Sequence, residues 1–367
     1  EAMLIASLEI LESKFPKIPI SMICTGLKAD NLASSLGVGV WRVWLRPFMP
    51  VQLYKEFLKK RPKVALIMGA DIMDGHYSVV NSLRMIIAAD ILAKCNVKTS
   101  FLGFSYNKKS KYVLKIAFRM LDKRVNVNLR DVISLNNFYN HTGVEANLVA
   151  DTAFLLKSQP ISANNFLFKE WIQQQNSIGR KVLVINYHPM LYKGDSAEEM
   201  IEKLQLSFLK AIDKLTNKYN ISWLLLPHDN RDYAGDIVAM SQLNNILHNL
   251  YDDRVCLVSM PPSAREVKEL VSSCDGVITG RMHLAIASLG KSVPVMVLSY
   301  QGKFSGLLQH FNLPAWLELN PVENCIPYVL ENNIEDFINN LVELKRKVEK
   351  ELPKVIQLSL STFEGIK

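Results

Sequence analysis

The chain has 367 residues, 49% of them hydrophobic, which is enough for two ordinary cores. No window reaches the roughly 18 unbroken apolar residues of a membrane span. Five scattered cysteines (Cys24, Cys95, Cys256, Cys274, Cys325), without CxxC spacing, exclude a disulfide framework and a zinc site, so a reducing cytoplasm is the expected compartment.

The net charge of +8 is spread thinly, with mild clusters at Lys108, Lys109 and Lys111 and at Lys345, Arg346 and Lys347, and no nucleic-acid module is visible. Besides a solvated basic surface, such a charge suits anionic lipid or lipid-linked phosphate, and with it peripheral contact at the inner membrane surface.

Helical periodicity begins at once (Leu4, Leu8, Leu11, Phe15), so the sequence is expected to start inside an element, with a first strand missing ahead of it. The pattern then alternates. Strand-like runs at 18–25, 64–68, 99–104, 125–129 and 147–150 are separated by helical spacing at 51–60, 82–95 and 111–121. Strands alternating with helices imply right-handed βαβ units and a parallel sheet, here a doubly wound domain over 1–157.

A Ser/Pro/Asn-containing linker at 157–166 follows, and the alternation restarts. Strands are expected at 182–186, 223–226, 255–258, 276–279 and 292–299, and helices at 196–219 and 263–273, the latter capped by Ser263 after Pro261 and Pro262. A further helix begins near Arg281. These elements make a second domain over 166–333, and 334–367 reads as a charged helix and tail. The fold class is therefore α/β, with two Rossmann-like doubly wound domains facing across a cleft.

Ligands of open parallel sheets bind beyond the carboxyl ends of strands, so polar residues just after an apolar run are the candidates. In the first domain Met68-Gly69-Ala70 leads to Asp71, Asp74 and His76. His76 is a candidate phosphate contact or proton donor, against a structural role; Asp71 and Asp74 suit helix caps. Arg130 follows 125–129 and could fork onto a carboxylate or phosphate, or lock the next turn with Asp131.

In the second domain His188 follows 182–186, and His228 with Asp229 follows 223–226. Arg281 and His283 sit where a strand meets a helix N-terminus, whose unpaired N–H groups and dipole attract anions. Lys303 follows 292–299. Gly37-Val38-Gly39 lacks the context of a dinucleotide fingerprint, the Trp41–Arg46 run lacks a wider basic-aromatic surface, and no His and carboxylate spacing implies a metal.

Several of these segments resemble one family. Gly280-Arg281-Met282-His283, followed by Ser299-Tyr300-x-x-Lys303-x-x-Gly306-Leu307, is similar to the signature of the polysaccharide pyruvyl transferases. Arg130-Asp131-x-x-Ser134, Asp151-x-Ala153-Phe154 and Pro227-His228-Asp229 resemble further elements of that family in the same order. The family usually shows a glycine triplet where this chain has Gly69-Ala70, and a Gly-rich turn that is missing ahead of Glu1-Ala2.

The resemblance implies a glycosyltransferase-B-like architecture and transfer of the pyruvyl group of phosphoenolpyruvate, as a ketal, to a sugar of a surface polysaccharide or its lipid-linked precursor. No cofactor is then required. The chemistry calls for cations, an acid and a base. Arg130, Arg281 and Lys303 suit the first, with His228 and His188 on the cleft floor, and Arg130 and Arg281 meeting from opposite domains. His283 or His76 suits the second, and Asp229 or Asp74 the third. A nucleotide-sugar glycosyltransferase on the same scaffold, or an inactive sugar- or phosphate-binding relative, stay open as alternatives.

Overall fold

The computed structural model describes residues 1–69, 73–192, 197–229, 235–259, 262–299, 302–324 and 326–366. By its contacts the chain divides into two compact units, Met3–Leu155 with Gln357–Lys367, and Glu1–Ala2 with Leu156–Ile356.

The first unit runs α1 (Ala2–Lys14), β1 (Ser21–Ile23), α2 (Leu27–Ser35), β2 (Gly39–Trp41), α3 (Met49–Lys60), β3 (Val64–Ile67), α4 (Val79–Lys94), β4 (Lys98–Phe101), α5 (Tyr112–Met120), β5 (Asn128–Leu129), α6 (Val132–Thr142) and β6 (Asn147–Leu148). All of its strand pairs are parallel: β1 with β2, β3 with β4, β5 with β6, and single bridges join Ser100 to Asn126 and Phe104 to Leu129. Its core is aromatic. Phe101, Phe104, Phe118 and Phe138 pack with Tyr106, all at most 1% exposed, and the Phe118 and Phe138 rings meet edge to face at 4.9 Å. The C-terminal tail returns to this unit: Lys14 Nζ donates to the Phe363 carbonyl at 2.9 Å, and Ser359 Oγ to the Asp151 carbonyl at 3.0 Å.

The second unit runs α7 (Phe166–Ser177), β7 (Lys181–Asn186), α8 (Ala197–Lys218), β8 (Ile221–Leu225), α9 (Asp236–Leu250), β9 (Val255–Leu257), α10 (Ala264–Val271), β10 (Gly276–Thr279), α11 (Met282–Leu289), β11 (Val295–Leu298), α12 (Ser305–His310), β12 (Glu318–Leu319) and α13 (Pro327–Ser361), whose last turns belong to the first unit. Its six strands are all parallel, in the order β12-β11-β10-β7-β8-β9. Strands β8, β10 and β11 are buried at every position, as their unbroken apolar runs require of a sheet covered on both faces.

Starting from β7, the chain builds outward through β8 and β9, then returns to lay β10 against the other side of β7. That reversal is the topological switch point of a doubly wound sheet, and the crevice beyond its two strand ends is where such sheets hold ligands.

Three helices were not legible as such. In α6 the residues facing inward are Ser134, Phe138 and Thr142, two of them polar, so no apolar stripe marks it. Only Ile172 and Gln175 of α7 are buried, while Phe166 and Leu167 are exposed. Short α2 has no buried apolar side chain but Ala33. The period of α9 is carried by apolar residues, Ala239, Met240, Leu243 and Leu247.

One local expectation is corrected. Asp74 does not cap α4: Ser78 does, its Oγ accepting from Asn81 N at 3.2 Å, while the buried Asp74 carboxylate accepts from His76 N at 2.8 Å and from Asn107 Nδ2. The Trp41–Arg46 run is a turn and not a stacking surface, in keeping with its lack of a wider basic-aromatic surface. Trp41, Val43 and Trp44 point into the core and Arg42, Leu45 and Arg46 outward, and Arg84 holds the turn by donating to the Trp44 carbonyl at 3.0 Å. Ala70 and Asp71 lie outside the described residues, as do Pro261 and Tyr300.

Candidate functional site

The switch point of the second unit gathers five of the expected residues. Asn186 ends β7 and Thr279 ends β10, directly paired across the ladder. Both are fully buried, and Thr279 Oγ1 donates to Asn186 Oδ1 at 3.0 Å. The same Thr279 oxygen accepts from Arg281 N at 2.9 Å and fixes the turn into α11. Asn186 Nδ2 donates in turn to the Leu226 carbonyl at 3.0 Å and to Asp236 Oδ2 at 2.8 Å.

Asp236 is the hub, and its side chain is 0% exposed. Its carboxylate also accepts from the main-chain N–H groups of His228 (3.0 Å) and Asp229 (3.2 Å), so it shapes the turn after β8. Arg281 Nε donates to it at 3.1 and 3.2 Å, and Nη2 also bonds it. Nη2 lies 3.1 Å from Asp229 Oδ2 as well. A buried charge is tolerated only when paired and hydrogen-bonded, and here a single arginine satisfies two carboxylates.

The guanidinium edge that could have forked onto a substrate is thus taken by Asp236. Among the described residues Nη1 has no partner, and Arg281 is 15% exposed, so Nη1 is the edge it presents. Asp229, expected as a base, is turned toward this guanidinium.

The imidazoles occupy defined places. His188 is 5% exposed, and its Nε2 lies 3.2 Å from the Gly280 carbonyl, which can only accept. Nε2 therefore carries the proton and Nδ1 the lone pair. The imidazole packs closely on Gly280, where a Cβ would stand 3.0 Å from His188 Cδ2 and 3.1 Å from Nε2, so a side chain there would push the ring by a few tenths of an ångström. Burial, then the Arg281 charge, lowers the His188 pKa to about 4. Burial, then the charge of His283, lowers that of His228 to about 4. Both rings are neutral near pH 7 and act as hydrogen-bonding groups rather than cations.

His283 is the second residue of α11, partly buried and close enough to His228 to oppose its protonation. Lys303 follows Gly302 (φ 62°) in the connection from β11, the strand beside β10, to α12.

His76 and Arg130 belong to the other unit. His76 is exposed, its ring edge-on to Tyr77 at 5.2 Å. Arg130 is buried at 5% exposure, with Nη1 3.3 Å from Asp151 Oδ2. Its neighbours in the motif are a cap: Asp131 accepts from Ser134 N at 2.7 Å and Ser134 Oγ at 2.8 Å, and Ser134 Oγ accepts from Tyr106 N at 3.1 Å.

Sequence reasoning missed Asp236, Asn186 and Thr279. A polar residue closing a buried apolar strand was the available signal for Asn186 and Thr279; Asp236 had only its place in the first turn of α9. Among the described residues no three His, Cys, Asp or Glu side chains are grouped to hold a metal, and no helix is long and apolar enough to cross a membrane.

The fold is shared with nucleotide-sugar enzymes. UDP-GlcNAc 2-epimerase from Neisseria meningitidis bound to UDP-GlcNAc matches with TM-score 0.64 at 12% identity, over 100% of this chain and 96% of that one. S. aureus MnaA in a co-structure with UDP gives 0.63 at 12%, over 98% and 90%, and a glycosyltransferase from Rickettsia africae 0.57 at 10%, over 98% and 94%. At such identities the likeness establishes the glycosyltransferase-B-like α/β fold and nothing about substrate. No curated protein matches the chain by sequence. The family model for polysaccharide pyruvyl transferase matches residues 1–302, most of both units, and the chain belongs to that family and is a transferase.

Proposed function

We propose that the protein transfers the pyruvyl group of phosphoenolpyruvate to two hydroxyls of a sugar in a surface polysaccharide or its lipid-linked precursor, forming a ketal and releasing phosphate. The observation that carries this reading is the Arg281 guanidinium, held rigid by Asp236 and Asp229 at the switch point with Nη1 presented. Nη1 and the first N–H groups of α11 suit the donor's phosphate or carboxylate. Lys303 is the further cation.

His283, or His76, is proposed to protonate the enol methylene carbon. The base is proposed as Asp229, with neutral His188 and His228 aligning hydroxyls. No cofactor enters this scheme.

The test is incubation with phosphoenolpyruvate and a panel of saccharides and lipid-linked saccharides. The expected result is phosphate release matched by an acceptor heavier by pyruvic acid less water. Phosphoenolpyruvate should also raise the melting temperature. If a UDP-sugar raises it instead and phosphoenolpyruvate does nothing, the enzyme is a nucleotide-sugar transferase.

A further inference from the structure

We propose that helix α3 and the turn leading into it form a docking face for a bilayer containing anionic lipid. The helix has two apolar faces. The inner one carries Met49 (4% exposed) and Leu53 (0%), packed with Trp41, Val43 and Leu92, and that contact accounts for its place in the fold. A helix serving the core alone would be polar on its other side.

Here the outer side carries Phe48 (80% exposed), Val51 (51%), Tyr54 (46%) and Leu58 (49%), spaced by three, three and four residues. Leu45, 70% exposed, extends the row into the preceding turn. Phe48 holds the left-handed backbone region (φ 54°), which bulky residues rarely adopt, and its ring is still outside the core.

Charge identifies the partner. Residues 38–63 contain seven basic side chains (Arg42, Arg46, Lys55, Lys59, Lys60, Arg61, Lys63) against one acid, Glu56. Arg42 is paired with Asp30 at 3.0 Å and Lys59 with Glu56 at 3.3 Å, while Arg46, Lys55, Lys60, Arg61 and Lys63 are exposed. An apolar row flanked by lysines and arginines is the composition of a helix lying in a membrane interface, where apolar insertion and attraction to anionic headgroups act together. A second copy is a poor occupant, because a two-fold contact would set Arg46, Lys55, Lys60, Arg61 and Lys63 against the same five cations. Nucleic acid would want aromatic faces along the row for stacking, whereas three of its five exposed side chains, Leu45, Val51 and Leu58, are aliphatic.

The test uses the full chain in co-sedimentation with vesicles of phosphatidylcholine alone and of an equimolar mixture with phosphatidylglycerol. The protein should sediment with the anionic vesicles only, and less as salt is raised. Lys55→Glu with Lys59→Glu and Lys60→Glu should weaken binding about tenfold or more. Leu45→Ser with Phe48→Ser, Val51→Ser and Leu58→Ser should also weaken it, with the melting curve kept because these side chains point outward.

Equal binding to both vesicle types, or wild-type binding by either variant, would overturn the proposal. So would a dimer, seen by analytical ultracentrifugation, that the serine variant abolishes while vesicle binding persists. None of these readouts depends on pyruvyl transfer.

Discussion

Arg281 and Arg130 both follow a parallel strand in an α/β unit, and in the sequence each reads as a cation just beyond a strand end. Their surroundings are opposite. Arg281 sits in a polar web where one buried carboxylate, Asp236, gathers two main-chain N–H groups, an asparagine and the guanidinium, yet the site keeps an open edge. Arg130 sits at the rim of an aromatic core, 5% exposed and 3.3 Å from the Asp151 carboxylate. A strand-end position therefore nominates a residue for function, but the partners around it decide how much of its charge is left for a ligand.

The largest effect expected from this contrast is at Asp236. Asp236→Asn leaves Arg281 with half of its pairing and turns an amide against the N–H groups of His228 and Asp229, so stability should fall by about 3 kcal/mol or more. The equivalent change beside Arg130, Asp151→Asn, keeps the oxygen that accepts from Ala153 N and should cost less, about 1 to 3 kcal/mol. Urea midpoints for the two variants test the contrast directly. Equal losses would mean the two arginines are held alike.

Within the web, His283 and Arg281 should separate by kinetic signature. If His283 is the acid, His283→Asn lowers the rate constant about 100-fold or more, with donor affinity within a few fold. Arg281→Lys keeps the charge but cannot reach Asp236 and present a donor at once, so donor binding should weaken by roughly 1 to 3 kcal/mol. A normal rate in the Asn variant would make His283 a binding group and move the acid to His76.

The two neutral imidazoles give the web a pH dependence. His188 and His228 have folded pKa values lowered to about 4, below the ordinary value of 6.5, so between these limits the unfolded chain binds more protons. Their contribution is present above pH 6.5 and is lost as pH falls toward 4. His188→Gln removes one titrating group and should flatten the fall in melting temperature between pH 6.5 and 4, by an amount equivalent to roughly 1 to 3 kcal/mol. A slope as steep as the wild type's would place the titration elsewhere.

How much of this was legible in the sequence follows from which residues carried a periodic signal. The buried strands of the second unit stood out as apolar runs, and their ends delivered Arg281, His188 and His228. Asp236 did not stand out, because its importance is a matter of tertiary convergence: it lies 50 residues from Asn186 and 45 from Arg281. Asp229 was visible, but its pairing with Arg281 was not. In the first unit the strands shrink to two to four residues, and the helix after Arg130 buries Ser134 and Thr142, so the motif was readable as a string while its cap geometry was not.

That cap supplies the smallest effect and the cleanest separation of structure from chemistry in the Arg130 region. Asp131 is the first residue outside α6, and its carboxylate takes the Ser134 N–H that has no partner within the helix, besides the Ser134 hydroxyl. The hydroxyl relays this hold to Tyr106 N and so to the aromatic core. Asp131→Ala should cost about 0.5 to 2 kcal/mol, the usual range for a lost cap, and Asp131→Asn much less, since an amide oxygen still accepts. Turnover per folded molecule should be unchanged in both, because both oxygens of Asp131 face the helix it caps. A large loss of turnover in the Asn variant, with its melting temperature kept, would mean the carboxylate's charge acts on the substrate, and the Arg130 strand end would then resemble that of Arg281 after all.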